Sequence, residues 1–209
     1  MRRALASRDF RLLWTGQSVS VIGDALVVVA IGLFVTRLTH SATDVGVVLA
    51  AYSLPLTGFV LVGGVVADRL PRHRVIVVAD SVRLVAHATL ALLIATGAVR
   101  IWQMVVIGVV FGTAEAFFQP AYSGLVPQTV PEADIQSAQA LGGLSRELAS
   151  FASPALATAL VLGVGGSAVF GVDAATFAVS ALLVVQVRPR RRASEQLEEH
   201  PIGALAELR

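Results

Sequence analysis

Apolar residues along this chain fall into six long runs, at about 12–35, 45–67, 75–99, 101–126, 139–164 and 168–187, separated by short segments that carry most of the charge. A bilayer hydrocarbon core about 30 Å thick needs roughly 20 helical residues at about 1.5 Å each, and every run reaches that length. Short connections make consecutive helices antiparallel neighbours. The pattern therefore predicts an all-α, integral membrane six-helix bundle over residues 1–187. Arg2, Arg3, Arg8 and Arg11 precede the first run, as in a secretory leader. The run is too long for one, holds Asp24 and lacks a cleavage site, so it is expected to stay in the mature protein. Past position 187 the pattern breaks into Arg188-Pro189-Arg190-Arg191-Arg192, then acids, then a mildly amphipathic stretch at 202–208. That composition predicts a solvated linker over 188–209.

Composition supports the membrane reading. With 56% hydrophobic and 14% charged residues and a mean hydropathy of +0.77, the chain has too little polar material to cover a soluble globule. The 16 basic residues are all Arg and the net charge is +2. They gather at the ends of the runs, which fits membrane topology and not nucleic-acid binding. Arg69, Arg72 and Arg74 share a side with the amino terminus and with Arg188 to Arg192, whereas Arg37 and Arg100 alone mark the other side. Both termini are thus expected in the cytoplasm. The turn with Glu132 and Asp134 has no Arg and carries no topological weight. Cysteine is absent and the four His are scattered, so neither a disulfide nor a metal site is expected. No phosphate-cradling loop and no Ser-His-Asp set is recognisable, so the chain is not expected to be an enzyme or to need a cofactor.

Between the second and third runs stands Gly64-Val-Val-Ala-Asp68-Arg69-Leu-Pro71-Arg72-His73-Arg74. It resembles motif A of the major facilitator superfamily, with Gly64, Asp68, Arg69, Arg72 and Arg74 at or near the glycine and charged positions. Val66 replaces the usual Leu, and Pro71 replaces the second Gly and fixes φ in the turn. Gly16-Gln17-Ser18-Val-Ser20-Val-Ile-Gly23-Asp24 and Phe118-Gln119-Pro120-Ala121 resemble the first and fourth helices of the superfamily's exporters, a branch that includes macrolide and enterobactin efflux proteins. In the fifth run Ser153-Pro154 lies within a degenerate motif C whose glycines have become other small residues, which still let helices approach closely. Gly108 occupies the position of the motif B Arg, so that Arg's proton-linked role does not carry over.

The resemblance implies the amino-terminal half of a transporter, built as a 3+3 inverted repeat, in a bacterial cytoplasmic membrane. Pro55 and Pro154, in the second and fifth runs, would be partners under such a repeat. It further implies proton-coupled efflux of an amphipathic small molecule, a drug or siderophore, by alternating access. The partner would be a carboxy-terminal six-helix half or a second chain. The motif A residues would latch the two halves, with Asp68 capping a partner helix and Arg72 bridging to an acid. An uptake carrier and a non-transporting half-size scaffold remain as alternatives.

Ionisable residues inside the runs are costly unless paired or wetted. They are Asp24, Asp80, Arg83, His87, Glu115, Arg146, Glu147 and Asp173. Asp24 lies about 18 Å into its helix, near the midplane where transporters bind substrate and ions; it is either a protonatable cavity group or a packing acid. Glu115 and Gln17 join it as substrate or proton candidates. Asp80 and Arg83, three apart, can pair on one helical face, with Glu115 at comparable depth. His87 is either a proton relay or a satisfied packing residue. Arg146 and Glu147 are expected near the headgroups or paired between helices, and Asp173 in packing or an outer gate.

Overall fold

The computed structural model describes residues 3–189. The expected linker at 188–209, with its amphipathic stretch, falls almost wholly outside them. Six long helices make up the fold: α1 (Arg8–Thr39), α2 (Ala42–Arg69), α3 (Arg72–Ala95), α4 (Ile101–Thr129), α5 (Ile135–Gly163) and α6 (Gly166–Val184). No strand occurs among the described residues.

Most helices run past their apolar runs because polar residues finish them. The Ser7 hydroxyl caps α1 by accepting from the Phe10 amide, which lets Arg8 to Arg11 join the first turn. Ser41 caps α2 through the Asp44 amide at 3.2 Å. At the start of α4 the Gln103 side chain accepts from the Arg100 amide at 2.7 Å. Leu70-Pro71 ends α2 and starts α3, since proline lacks the amide to continue the helix. Gly165, at φ 105°, breaks α5 from α6.

Five of the six helices are long and apolar enough to cross a membrane by length and composition. The exception is α5, whose Gly, Ser and Thr residues and the pair Arg146-Glu147 dilute its apolar content. Such a helix suits a protein-facing or water-facing position better than a lipid-facing one.

Packing runs chiefly between α2 and α4, α3 and α6, α1 and α6, α3 and α4, and α1 and α5. A Cβ on Gly63 would run into the Ala116 backbone, so α2 and α4 meet there without a side chain between them. Gly64, the motif glycine, has nothing within 4 Å of such a Cβ. Two apolar cores result. One holds Phe10, Leu13, Ile76, Phe118 and Leu125, and the other holds Ile31, Val35, Val48, Leu90, Met104 and Phe170. The Arg188 amide donates to Asp9 Oδ1 at 3.1 Å, so the start of α1 and the end of α6 share one end of the bundle.

Candidate functional site

Between the two cores lies a polar layer. Asp24, Arg83 and Glu115 each sit at or next to the midpoint of their helices, α1, α3 and α4. On α3, Asp80, Arg83 and His87 follow the i, i+3, i+7 spacing that keeps side chains on one face. On α6, Asp173, Thr176 and Ser180 repeat that spacing. The stripes face each other in opposite directions, so Asp80 meets Ser180 and His87 meets Asp173.

Arg83 is the hub. Its fully buried guanidinium donates from Nη1 to Glu115 Oε2 at 2.6 Å and from Nη2 to Asp80 Oδ1, and Nη1 stands 3.8 Å from Asp24 Oδ2. Phe118 and Phe177 sandwich its carbon centre at 4.1 and 4.4 Å from their ring centres. Ser180 completes Asp80 by donating to Oδ2 at 2.7 Å, and Gln119 Nε2 donates to the other oxygen of Glu115. Charged groups so enclosed are tolerable only when paired in this way.

His87 is packed, and also bonded at both nitrogens. Nδ1 faces Asp173 Oδ2 and Nε2 lies 3.3 Å from the Tyr52 hydroxyl; a proton on Nδ1 lets Tyr52 donate to Nε2 and satisfies both contacts. Phe111 stacks on the imidazole at 4.2 Å between ring centres. Gly108 makes room for this arrangement, because a Cβ there would strike the Tyr52 ring. Tyr52 thus fills the space that a side chain at position 108 would take.

The layer opens to one side of the bundle. A cleft of about 520 Å³ is lined by Asp24, Tyr52, Glu115, Gln119 and Arg146, with Val27, Ile31, Leu49 and Leu56 among its apolar wall residues. Asp24 is 30% exposed and Glu115 14%, while Asp80, Arg83, His87 and Asp173 are fully buried. Gln17 is buried and is not among the residues that line the cleft. Arg146 lies in the cleft wall. Tyr52 and the His87–Asp173 contact carried no local sequence signal: Tyr52 is one aromatic in an apolar run, and the other two are 86 positions apart.

At the α2–α3 turn, Asp68 pairs with Arg72 four residues on, at 2.8 Å. Arg72 also donates to the Gly124 carbonyl at 2.8 Å and the Ala67 carbonyl at 3.3 Å, tying the turn to α4. Within this chain Arg72 therefore bridges to Asp68 itself. Arg69 and Arg74 point outward. On α5, Ser153 is buried and donates to the Ser150 carbonyl at 3.1 Å, and Pro154 is exposed. No cluster of metal-ligating side chains occurs among the described residues.

Comparison with known proteins accords with a helical membrane bundle. The family model described as "Transmembrane secretion effector" matches residues 3–209. Macrolide efflux protein A of Streptococcus pyogenes is 25% identical over 179 residues, 86% of this chain and 44% of that protein. The enterobactin exporter EntS of Shigella boydii serotype 18 is 29% identical over 202 residues, 94% and 47%. The "uncharacterized MFS-type transporter YfiS" of Bacillus subtilis is 26% identical over 173 residues, 82% and 40%. The chain spans less than half the length of each of these relatives. Taken with the six helices, the motif A turn and the buried polar layer, the match over nearly the whole chain makes this protein a member of the transmembrane secretion effector family of the major facilitator superfamily.

Proposed function

We propose that this chain forms the amino-terminal half of a proton-coupled exporter of amphipathic small molecules in a bacterial cytoplasmic membrane. The observation that carries the reading is the imbalance of charge around the cleft. Among the described residues of the layer there are four carboxylates, Asp24, Asp80, Glu115 and Asp173, and one buried guanidinium, Arg83. Even with Arg146 in the cleft wall, carboxylates outnumber guanidiniums four to two. A net negative charge at the centre of a low-dielectric bundle is costly, so the layer approaches neutrality by holding protons on its acids. Asp24 and Glu115 reach the cleft, where Asp24 exchanges protons with water or substrate. Each elementary charge that crosses 100 mV gains about 2.3 kcal/mol, which drives the cycle.

The cleft suits a cargo with a large apolar body and a polar edge. Aliphatic side chains and the Tyr52 and Phe111 rings line much of it, and Asp24, Glu115, Gln119 and Arg146 are among the residues that supply polar contacts. The efflux names of the relatives support export, of a drug or siderophore in the manner of theirs. The arginine distribution supports cytoplasmic termini.

The half is an inverted repeat in this reading. Ile101 follows Arg8 by 93 residues and Ile135 follows Ala42 by 93. Asp173, Thr176 and Ser180 follow Asp80, Arg83 and His87 by the same 93. Exchanging α1, α2 and α3 with α4, α5 and α6 also carries the α2–α4 contact onto α1–α5 and the α1–α6 contact onto α3–α4. A second six-helix unit closes the cleft against α2 and α5, and Gly64, Asp68, Arg69, Arg72 and Arg74 latch the two in the outward-facing state.

The test is substrate-dependent proton flux in proteoliposomes of the complete protein. Asp24→Asn is expected to abolish coupled flux while substrate still binds, since the amide keeps the shape but carries no exchangeable charge. Unchanged flux in that variant removes Asp24 from coupling.

A further inference from the structure

We propose that the outer face of α3 and α4 holds a specific site for an anionic phospholipid, with its phosphate on Arg74 and one acyl chain along the interhelical groove. A groove of about 540 Å³ begins beside Leu70 and Arg74, and a second of about 480 Å³ continues it toward Thr89. Val78, Val82 and Val110 line both, so the two form one channel. From Arg74 to Thr89 it follows α3 for about 22 Å by the helical rise. That is longer than half of an approximately 30 Å hydrocarbon core, so a full-length acyl chain fits.

The channel is chemically apolar even where it has hydroxyl residues. Ser81 donates to the Val77 carbonyl, Thr89 to Val85 and Thr113 to Val109, each at 2.7 Å, so their donors turn back to their own helices. Val78 and Val85 are each 63% exposed along it. Its one charged lining residue, Arg74, stands at the end by the α2–α3 turn and is exposed. The Arg74 guanidinium makes no hydrogen bond or ion pair with another described residue, in contrast with that of Arg72. A free guanidinium suits a phosphate, which it can grip with two parallel N–H donors.

The turn also discriminates between headgroups. Its one carboxylate, Asp68, is held by Arg72. The turn thus offers a cation to a phosphate but no unpaired acid to a headgroup ammonium. Anionic lipids are favoured over zwitterionic ones on that ground.

The full chain in mild detergent, titrated with phosphatidylglycerol or phosphatidylcholine, tests this by native mass spectrometry of retained lipid and by the unfolding midpoint. About fivefold preferential retention of phosphatidylglycerol is expected from one arginine near a lipid surface. Arg74→Gln brings the ratio close to one, and Arg69→Gln leaves it unchanged. Val82→Trp, with Val110→Phe as a second obstruction, lowers retention of both lipids. Equal retention by the unaltered chain, an equal loss of preference in Arg69→Gln, or the same stabilisation by glycerol 3-phosphate alone would overturn the site. Self-association through this face that displaces bound lipid would do the same.

Discussion

Arg83 concentrates the energetics of the molecule in one side chain. It is fully buried, bonded to Asp80 and Glu115 and packed between two phenyl rings. Arg83→Gln leaves Asp80 enclosed with Ser180 as its remaining partner, and stranding one member of a buried ion pair costs about 3–5 kcal/mol. A clear fall in the unfolding midpoint in detergent is expected. Adding Asp80→Asn removes the stranded charge and is expected to recover at least half of the loss; no recovery would show that the rings, not the charges, hold Arg83. The spacing of Asp80 and Arg83 is visible in the sequence because three residues are nearly one helical turn. The partnership of His87 with Asp173 is not, since it depends on how α3 and α6 align across 86 intervening positions.

Helices supply that alignment, and small residues decide how close they come. The sequence singles out Gly64 through its motif, yet the backbone contact with Ala116 belongs to Gly63. The two glycines therefore separate packing from other roles. Gly63→Val is expected to cost about 1–3 kcal/mol, because the new side chain must push α2 away from α4. Gly64→Val is expected to change stability by no more than about 0.5 kcal/mol, as a Cβ there meets open space. Paired thermal unfolding curves check both, and equal losses would refute the assignment. Number and kind of the helices were legible from the apolar runs. Their ends were not, because Ser7 and Ser41 extend α1 and α2 through polar caps that hydropathy does not see. In α5, small polar residues dilute an apolar run of full spanning length, so its run stands out less than those of the other five helices.

At the scale of the whole molecule the least satisfied surfaces are those of α2 and α5. Leu61 on α2 is 80% exposed and Phe151 on α5 is 88% exposed, although these helices also wall the cleft. The proposed second unit would cover them, with Asp68 meeting it at the membrane surface. Asp68 is suited to that role because little within this chain depends on it. Its side chain is 73% exposed, and an exposed i, i+4 ion pair contributes at most about 1 kcal/mol. Arg72 would keep its bonds to the Ala67 and Gly124 carbonyls without it. Asp68→Asn is thus expected to leave folding and membrane insertion of the complete protein intact. Transport should fall about tenfold, the factor that corresponds to roughly 1.4 kcal/mol of lost attraction between a carboxylate and a helix amino terminus. Comparing transport rate with the amount of protein in the membrane separates the two effects. Transport undiminished at equal protein level would exclude Asp68 from the latch, whereas a matched loss of both would place its role within this half.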